Sequence, residues 1–98
     1  MEYNMDSIKI DLQTVGFSET PELLDQVEKE LRRIMRFRND IVAADIYLRE
    51  DGTNPANNKV VRWRLGVPGN DLFAEGNGGS WPEGLRATSE KLRRQFVD

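Results

Sequence analysis

Between Thr20 and Phe37 the residues Leu23, Leu24, Val27, Leu31, Ile34 and Met35 form one continuous apolar stripe at helical spacing. A helix with a single apolar side must lie on a partner. The segments before and after it switch to period two, so that partner is a sheet. Thr20-Pro21-Glu22 supplies the start: an N-cap, a proline where no amide donor is needed, and an acid where the helix dipole favours one. The spacing predicts a helix from there to about Phe37. Its charges are polarised along the axis, with Glu22, Asp25 and Glu28 in the first half, Arg32, Arg33 and Arg36 in the second, and Arg38 just beyond.

Four strands are expected around this helix. Ser7 to Thr14 alternates Ile8, Ile10 and Leu12 against Lys9, Asp11 and Gln13. After the turn Asn39-Asp40, the run with Val42, Ala44, Ile46 and Leu48 on one face and Asp45, Tyr47 and Arg49 on the other reads as a second strand. The stretch from Asp51 to Asn58, with its glycine, proline and asparagines, is a loop. Lys59 to Val67 buries Val61, Trp63, Leu65 and Val67, and the turn Pro68-Gly69-Asn70-Asp71 leads to a short fourth strand, Leu72 to Glu75, ended by the loop Gly76-Asn77-Gly78-Gly79.

A second helix opens at Ser80-Trp81-Pro82-Glu83, where Ser80 is the N-cap and Glu83 reaches back to complete a capping box. Trp81, Leu85, Thr88 or Ser89, Leu92 and Phe96 form its stripe, and Arg86, Lys91, Arg93 and Arg94 fall away from it. Gly84 weakens its first half by about 1 kcal/mol relative to alanine. Trp63 and Trp81, each on an apolar face, are expected to pack in the core.

With 98 residues the chain is one domain over 1–98, of the α+β class in the order β-α-β-β-β-α: a four-stranded mixed sheet with both helices on one face. A right-handed crossover through the first helix makes the first two strands parallel. Cysteine and histidine are both absent, which removes disulfides, thiol nucleophiles and the commonest metal ligand. No spaced carboxylate loop of the calcium type is present. A non-enzyme without cofactor or metal is expected. The N-terminus carries no signal-peptide pattern and no membrane span, so the expected location is cytoplasmic, without membrane contact. The net charge of −3 means that any nucleic-acid binding must rest on segregated charge.

This order, the helix pattern Thr20, Leu23, Val27, Leu31, Ile34, Arg36-Phe37, the strand Ala44-Asp45-Ile46-Tyr47-Leu48-Arg49, the hairpin Val67 to Leu72 and the ending Lys91-Leu92-Arg93-Arg94-Gln95-Phe96 together resemble the ribosome hibernation-promoting factors and ribosome-associated inhibitors, once described as sigma-factor modulators. The resemblance covers nearly the whole chain. It implies a fold like a double-stranded-RNA-binding domain and a protein that binds rRNA of the small ribosomal subunit in the decoding channel, inhibiting translation in resting or stressed cells. The positions matching the family's basic helix surfaces are Lys29, Arg32, Arg33, Arg36, Lys91 and Arg94, with Arg38 and Arg93 as extensions. Thr88 and Ser89 depart from the family, which usually has apolar residues there.

Residues Tyr47, Arg49, Val60, Arg62, Arg64 and Phe73 share the parity of the uncovered sheet face. Their mixed aromatic and basic character admits an alternative: a protein-interaction module that self-associates as a homodimer through Tyr47, Val60 and Phe73.

Overall fold

The computed structural model describes residues 1–96 and contains five strands and two helices: β1 (Glu2–Met5), β2 (Ile8–Val15), α1 (Pro21–Met35), β3 (Ala43–Glu50), β4 (Lys59–Val67), β5 (Asn70–Gly78) and α2 (Trp81–Arg94). The strands form one sheet in sequence order. The crossover through α1 makes β2 and β3 parallel, and the other neighbours pair antiparallel, as expected from the handedness of such connections. The molecule is 19 Å thick, the depth of one helix layer on one sheet.

The expected four-stranded sheet is corrected to five. The extra strand, β1, folds back on β2 through the two-residue turn Asp6-Ser7, both with positive φ (50° and 70°). Two consecutive left-handed residues match the twist of a tight hairpin. Tyr3 lies opposite Ile10 and Met5 opposite Ile8, so β1 continues the buried face to the sheet margin.

A second correction concerns the glycine run. β5 does not end before Gly76 but continues through it to Gly78, because α2 lies directly on that strand. A β-carbon at Gly76 would stand 2.6 Å from Thr88 Oγ1, and one at Gly78 would stand 2.7 Å from Glu83 Cβ. Gly84 matches them from the helix side, where a β-carbon would come within 3.0 Å of Val61. These glycines set the depth at which helix and sheet meet.

The two caps form as read. Thr20 accepts a hydrogen bond from the Leu23 amide (3.2 Å), and Ser80 accepts one from the Glu83 amide (3.3 Å). The Glu83 carboxylate closes the second start by accepting from the Gly79 amide (2.8 Å), one residue earlier than a standard capping box.

The core between the layers is built from Ile10, Leu12, Ile46, Leu48, Val61, Trp63 and Leu65 of the sheet against Val27, Leu31, Ile34, Leu85 and Leu92 of the helices. Trp63 is fully buried, and Trp81 packs at the margin, stacked on Phe17 at 4.9 Å between ring centres. Val42 departs from its expected place in the core. It precedes β3 and is exposed, and the neighbouring Ile41 is buried instead. The outer edge of β5 is also covered: Lys91 Nζ donates to the Glu75 carbonyl (2.7 Å) and Gln95 Nε2 donates to the Phe73 carbonyl (2.8 Å).

Candidate nucleic-acid interface

Strand register decides what the basic residues of the open sheet face can do. Asp45 faces Arg64 across β3 and β4, and Arg62 faces Glu75 across β4 and β5. Arg64 accordingly pairs with Asp45 and with Asp71 (2.7 Å), Arg62 with Glu75 (2.6 Å), and Arg49 with Asp51 (3.1 Å). Cross-strand neighbours of opposite charge satisfy one another. The face is a ladder of ion pairs with little cationic character to spare.

Within it, Tyr47 and Phe73 line one hollow of about 410 Å³ together with Asp11, Gln13, Asp45, Arg62 and Arg64. Val60 is not brought to them. It borders a separate depression beside Glu75 and Lys91. Phe73 is 56% exposed.

The helix face is organised differently. α1 and α2 lie side by side, and the arginines of the second half of α1 meet Arg86 of α2 around a cleft of about 530 Å³. Lys29, Arg32, Arg33, Arg36 and Arg86 line it against only Asp25 and Glu28. Five cations and two acids line this hollow, whereas the hollow on the sheet face has two of each.

The eight basic residues singled out from the sequence fall into three groups. Lys29, Arg36 and Arg94 are exposed and have no ion-pair partner among the described residues. Arg32 and Lys91 are exposed but tethered, the first to Asp6 in the β1–β2 turn (2.8 Å) and the second to the Glu75 carbonyl. Arg33, Arg38 and Arg93 are largely engaged. Arg33 bridges Glu30 (3.5 Å) and Glu90 (3.6 Å), tying the helices together. Arg38 makes a two-bond pair with Asp40 (2.6 and 3.1 Å) and covers the Phe96 ring, and Arg93 bonds Glu90 and covers Phe37. The Arg38 guanidinium holds the Asp40 carboxyl below the usual carboxylate range.

Sequence reasoning placed Ser89 on the stripe of the second helix but missed its buried partner beneath this cleft. Glu30 is fully buried on α1, where Ser89 Oγ donates to its Oε1 (2.8 Å), Gln26 Nε2 to its Oε2 (3.3 Å) and Arg86 Nε to its Oε2 (3.4 Å). A buried carboxylate is tolerated only when so partnered. The signal was present in the spacing: Val27, Glu30, Leu31 and Ile34 share one side of α1, and Leu85, Ser89 and Leu92 share one side of α2. Buried stripes interrupted by polar residues, Glu30 on α1 and Thr88 and Ser89 on α2, announce a pair between them.

No group of three or more metal-binding side chains occurs among the described residues, where Asp6, Glu50 and Asp51 serve instead as partners of Arg32, Lys59 and Arg49. No described helix is long and apolar enough to cross a membrane.

A family model described as Sigma 54 modulation protein / S30EA ribosomal protein matches residues 10–97. Among solved structures, the chain is similar to a ribosomal subunit interface protein from Coxiella burnetii, with a TM-score of 0.75 and 24% identity over 89% of this chain and 91% of that one. It is also similar to the N-terminal domain of Protein Y from Thermus thermophilus, with a TM-score of 0.76 and 20% identity over 88% of this chain and 91% of that one. At these identities the likeness shows the fold. No curated protein matches the chain.

Proposed function

Because the chain belongs to the Sigma 54 modulation protein / S30EA ribosomal protein family, we propose that it is a non-catalytic ribosome-associated factor that binds rRNA of the small ribosomal subunit through its helix face. Seated in the decoding channel, it inhibits translation in resting or stressed cells. This use of the helices against phosphates parallels that of a double-stranded-RNA-binding domain.

The observation that carries the reading is the cleft between the helices, lined by five cations and two acids, where Lys29 and Arg36 have no ion-pair partner among the described residues, while the sheet-face arginines are each paired with a carboxylate. Phosphate contacts need uncommitted cations, and they position a protein on structured RNA without reading bases. Lys29, Arg32, Arg36, Lys91 and Arg94 are the residues best placed to supply them. The name of the Coxiella burnetii protein, a ribosomal subunit interface protein, points the same way.

Co-sedimentation with small ribosomal subunits across a salt series tests the proposal. With about 5 phosphates engaged, the logarithm of the binding constant falls against the logarithm of salt with a slope near −4. The double charge reversal Arg36→Glu with Lys91→Glu abolishes binding. Saturable binding that survives both high salt and this variant is the result that rejects the assignment.

A second reading draws on Phe73, which stands 56% exposed beside Tyr47 on the open sheet face. Self-association there gives a homodimer whose mass, read by light scattering at high concentration, persists at high ionic strength, unlike a phosphate contact.

A further inference from the structure

Arg86 stands on the α2 wall of the basic cleft, opposite Lys29, Arg32 and Arg36 on α1. Its side chain is 52% exposed, yet it is anchored at its root by Glu30, which is wholly buried. Only Nε is used in that contact, at 3.4 Å from Glu30 Oε2. A guanidinium carries five N–H donors in a planar fork, so the four on the two terminal nitrogens stay available. Arg33, the other arginine on Glu30, has both terminal nitrogens committed, one to Glu30 and one to Glu90.

Resting on the phosphate-binding reading above, we propose that Arg86 is a phosphate-contacting residue of this interface and that the buried Glu30 is its positioning residue. Glu30 is itself fixed by the Ser89 hydroxyl and Arg33 on Oε1 and by the Gln26 amide on Oε2, the oxygen it shares with Arg86. The arrangement offers the outer edge of the fork to a phosphate while the inner N–H is held. An arginine ordered before binding loses less side-chain freedom when it binds.

Loss of the Glu30 charge has an effect on binding opposite in sign to simple charge counting. Glu30→Gln removes a negative charge beneath the cleft and makes the protein one unit more positive. Charge alone would then tighten binding to phosphate. If Glu30 positions Arg86, binding weakens, because the amide keeps an acceptor for Ser89 but replaces the carboxylate on which Arg86 rests.

Co-sedimentation of the full chain with small ribosomal subunits, repeated across salt, provides the test. Arg86→Ala weakens binding about tenfold, the size of one charge-assisted contact, and reduces the steepness of the salt dependence by about 0.9. Glu30→Gln weakens binding severalfold, and the double variant is no weaker than Arg86→Ala alone, since both changes remove one contact. A purely structural role for either residue would leave the salt slope unmoved. Should Glu30→Gln fail to fold by circular dichroism, Ser89→Ala, which removes the hydroxyl that contacts Glu30 Oε1 and the Arg86 carbonyl, takes its place, with binding again weakened severalfold. Wild-type binding with an unchanged slope for Arg86→Ala, or with Glu30→Gln as tight as wild type or tighter, overturns this inference alone. Absence of wild-type binding at low salt overturns the ribosome reading with it.

Discussion

Tyr3 illustrates how one residue reports on the packing of an edge strand. It sits half-buried on the helix side of β1, its hydroxyl without a hydrogen-bond partner among the described residues. Burial, with a contribution from the nearby Glu28 carboxylate, pushes its pKa up to about 12. An unfolded chain releases the same proton near pH 10. The folded state therefore keeps its full advantage below about pH 10 and loses it progressively as the pH rises from 10 toward 12. Denaturant midpoints measured at about pH 9 and about pH 11.5 should fall between the two, and the fall should be smaller in Tyr3→Phe. A second residue, Gly78, is constrained by space. A methyl group there meets Glu83 Cβ at 2.7 Å and the Gly84 amide nitrogen at 2.9 Å, so Gly78→Ala should cost about 1–3 kcal/mol in chemical denaturation.

At the level of the elements, both helices, their caps and three of the strands were legible because each repeats its pattern long enough to be counted. α1 carries its stripe over four turns, and β4 alternates buried and exposed residues from Val61 to Leu65. β1 was not legible for the opposite reason. It has four residues, only Met5 of them buried, and its turn is Asp6-Ser7 rather than the asparagine-glycine pair that advertises such hairpins. The true length of β5 was hidden because glycines that admit a helix look the same in sequence as glycines of a loop. In the candidate site, the type and helix of the cations could be read, but the carboxylates that tether Arg32 and Arg86 lie 26 and 56 residues away in the chain, at Asp6 and Glu30. The β1–β2 turn offers a direct check. Ser7 adopts φ of 70°, which costs an L-residue about 1 kcal/mol, so Ser7→Gly should raise the unfolding free energy by about that amount.

For the molecule as a whole, the division of charge between its two faces matters more than its sum. A net charge of −3 coexists with a cationic cleft because the acids are spent on the sheet-face arginines, on the start of α1 and on loops. Removing sheet-face cations should therefore leave ribosome binding alone. Arg62→Ala and Arg64→Ala are expected to co-sediment with small subunits like the wild type, and a loss comparable to that of the helix-face reversal would place the contact on the wrong side.

The contacts of Lys91 and Gln95 with the outer carbonyls of β5 also govern how copies of this molecule can add to one another. Backbone acceptors already occupied by a helix cannot template another strand, so this margin is closed to lateral growth. The opposite margin, β1, is the remaining open one. A filament needs two complementary margins, one to give and one to receive, whereas a single open margin can meet only its own copy about a two-fold axis. Growth by strand addition in the native state would therefore stop at a pair, and an ordered fibre would first require α2 to leave β5.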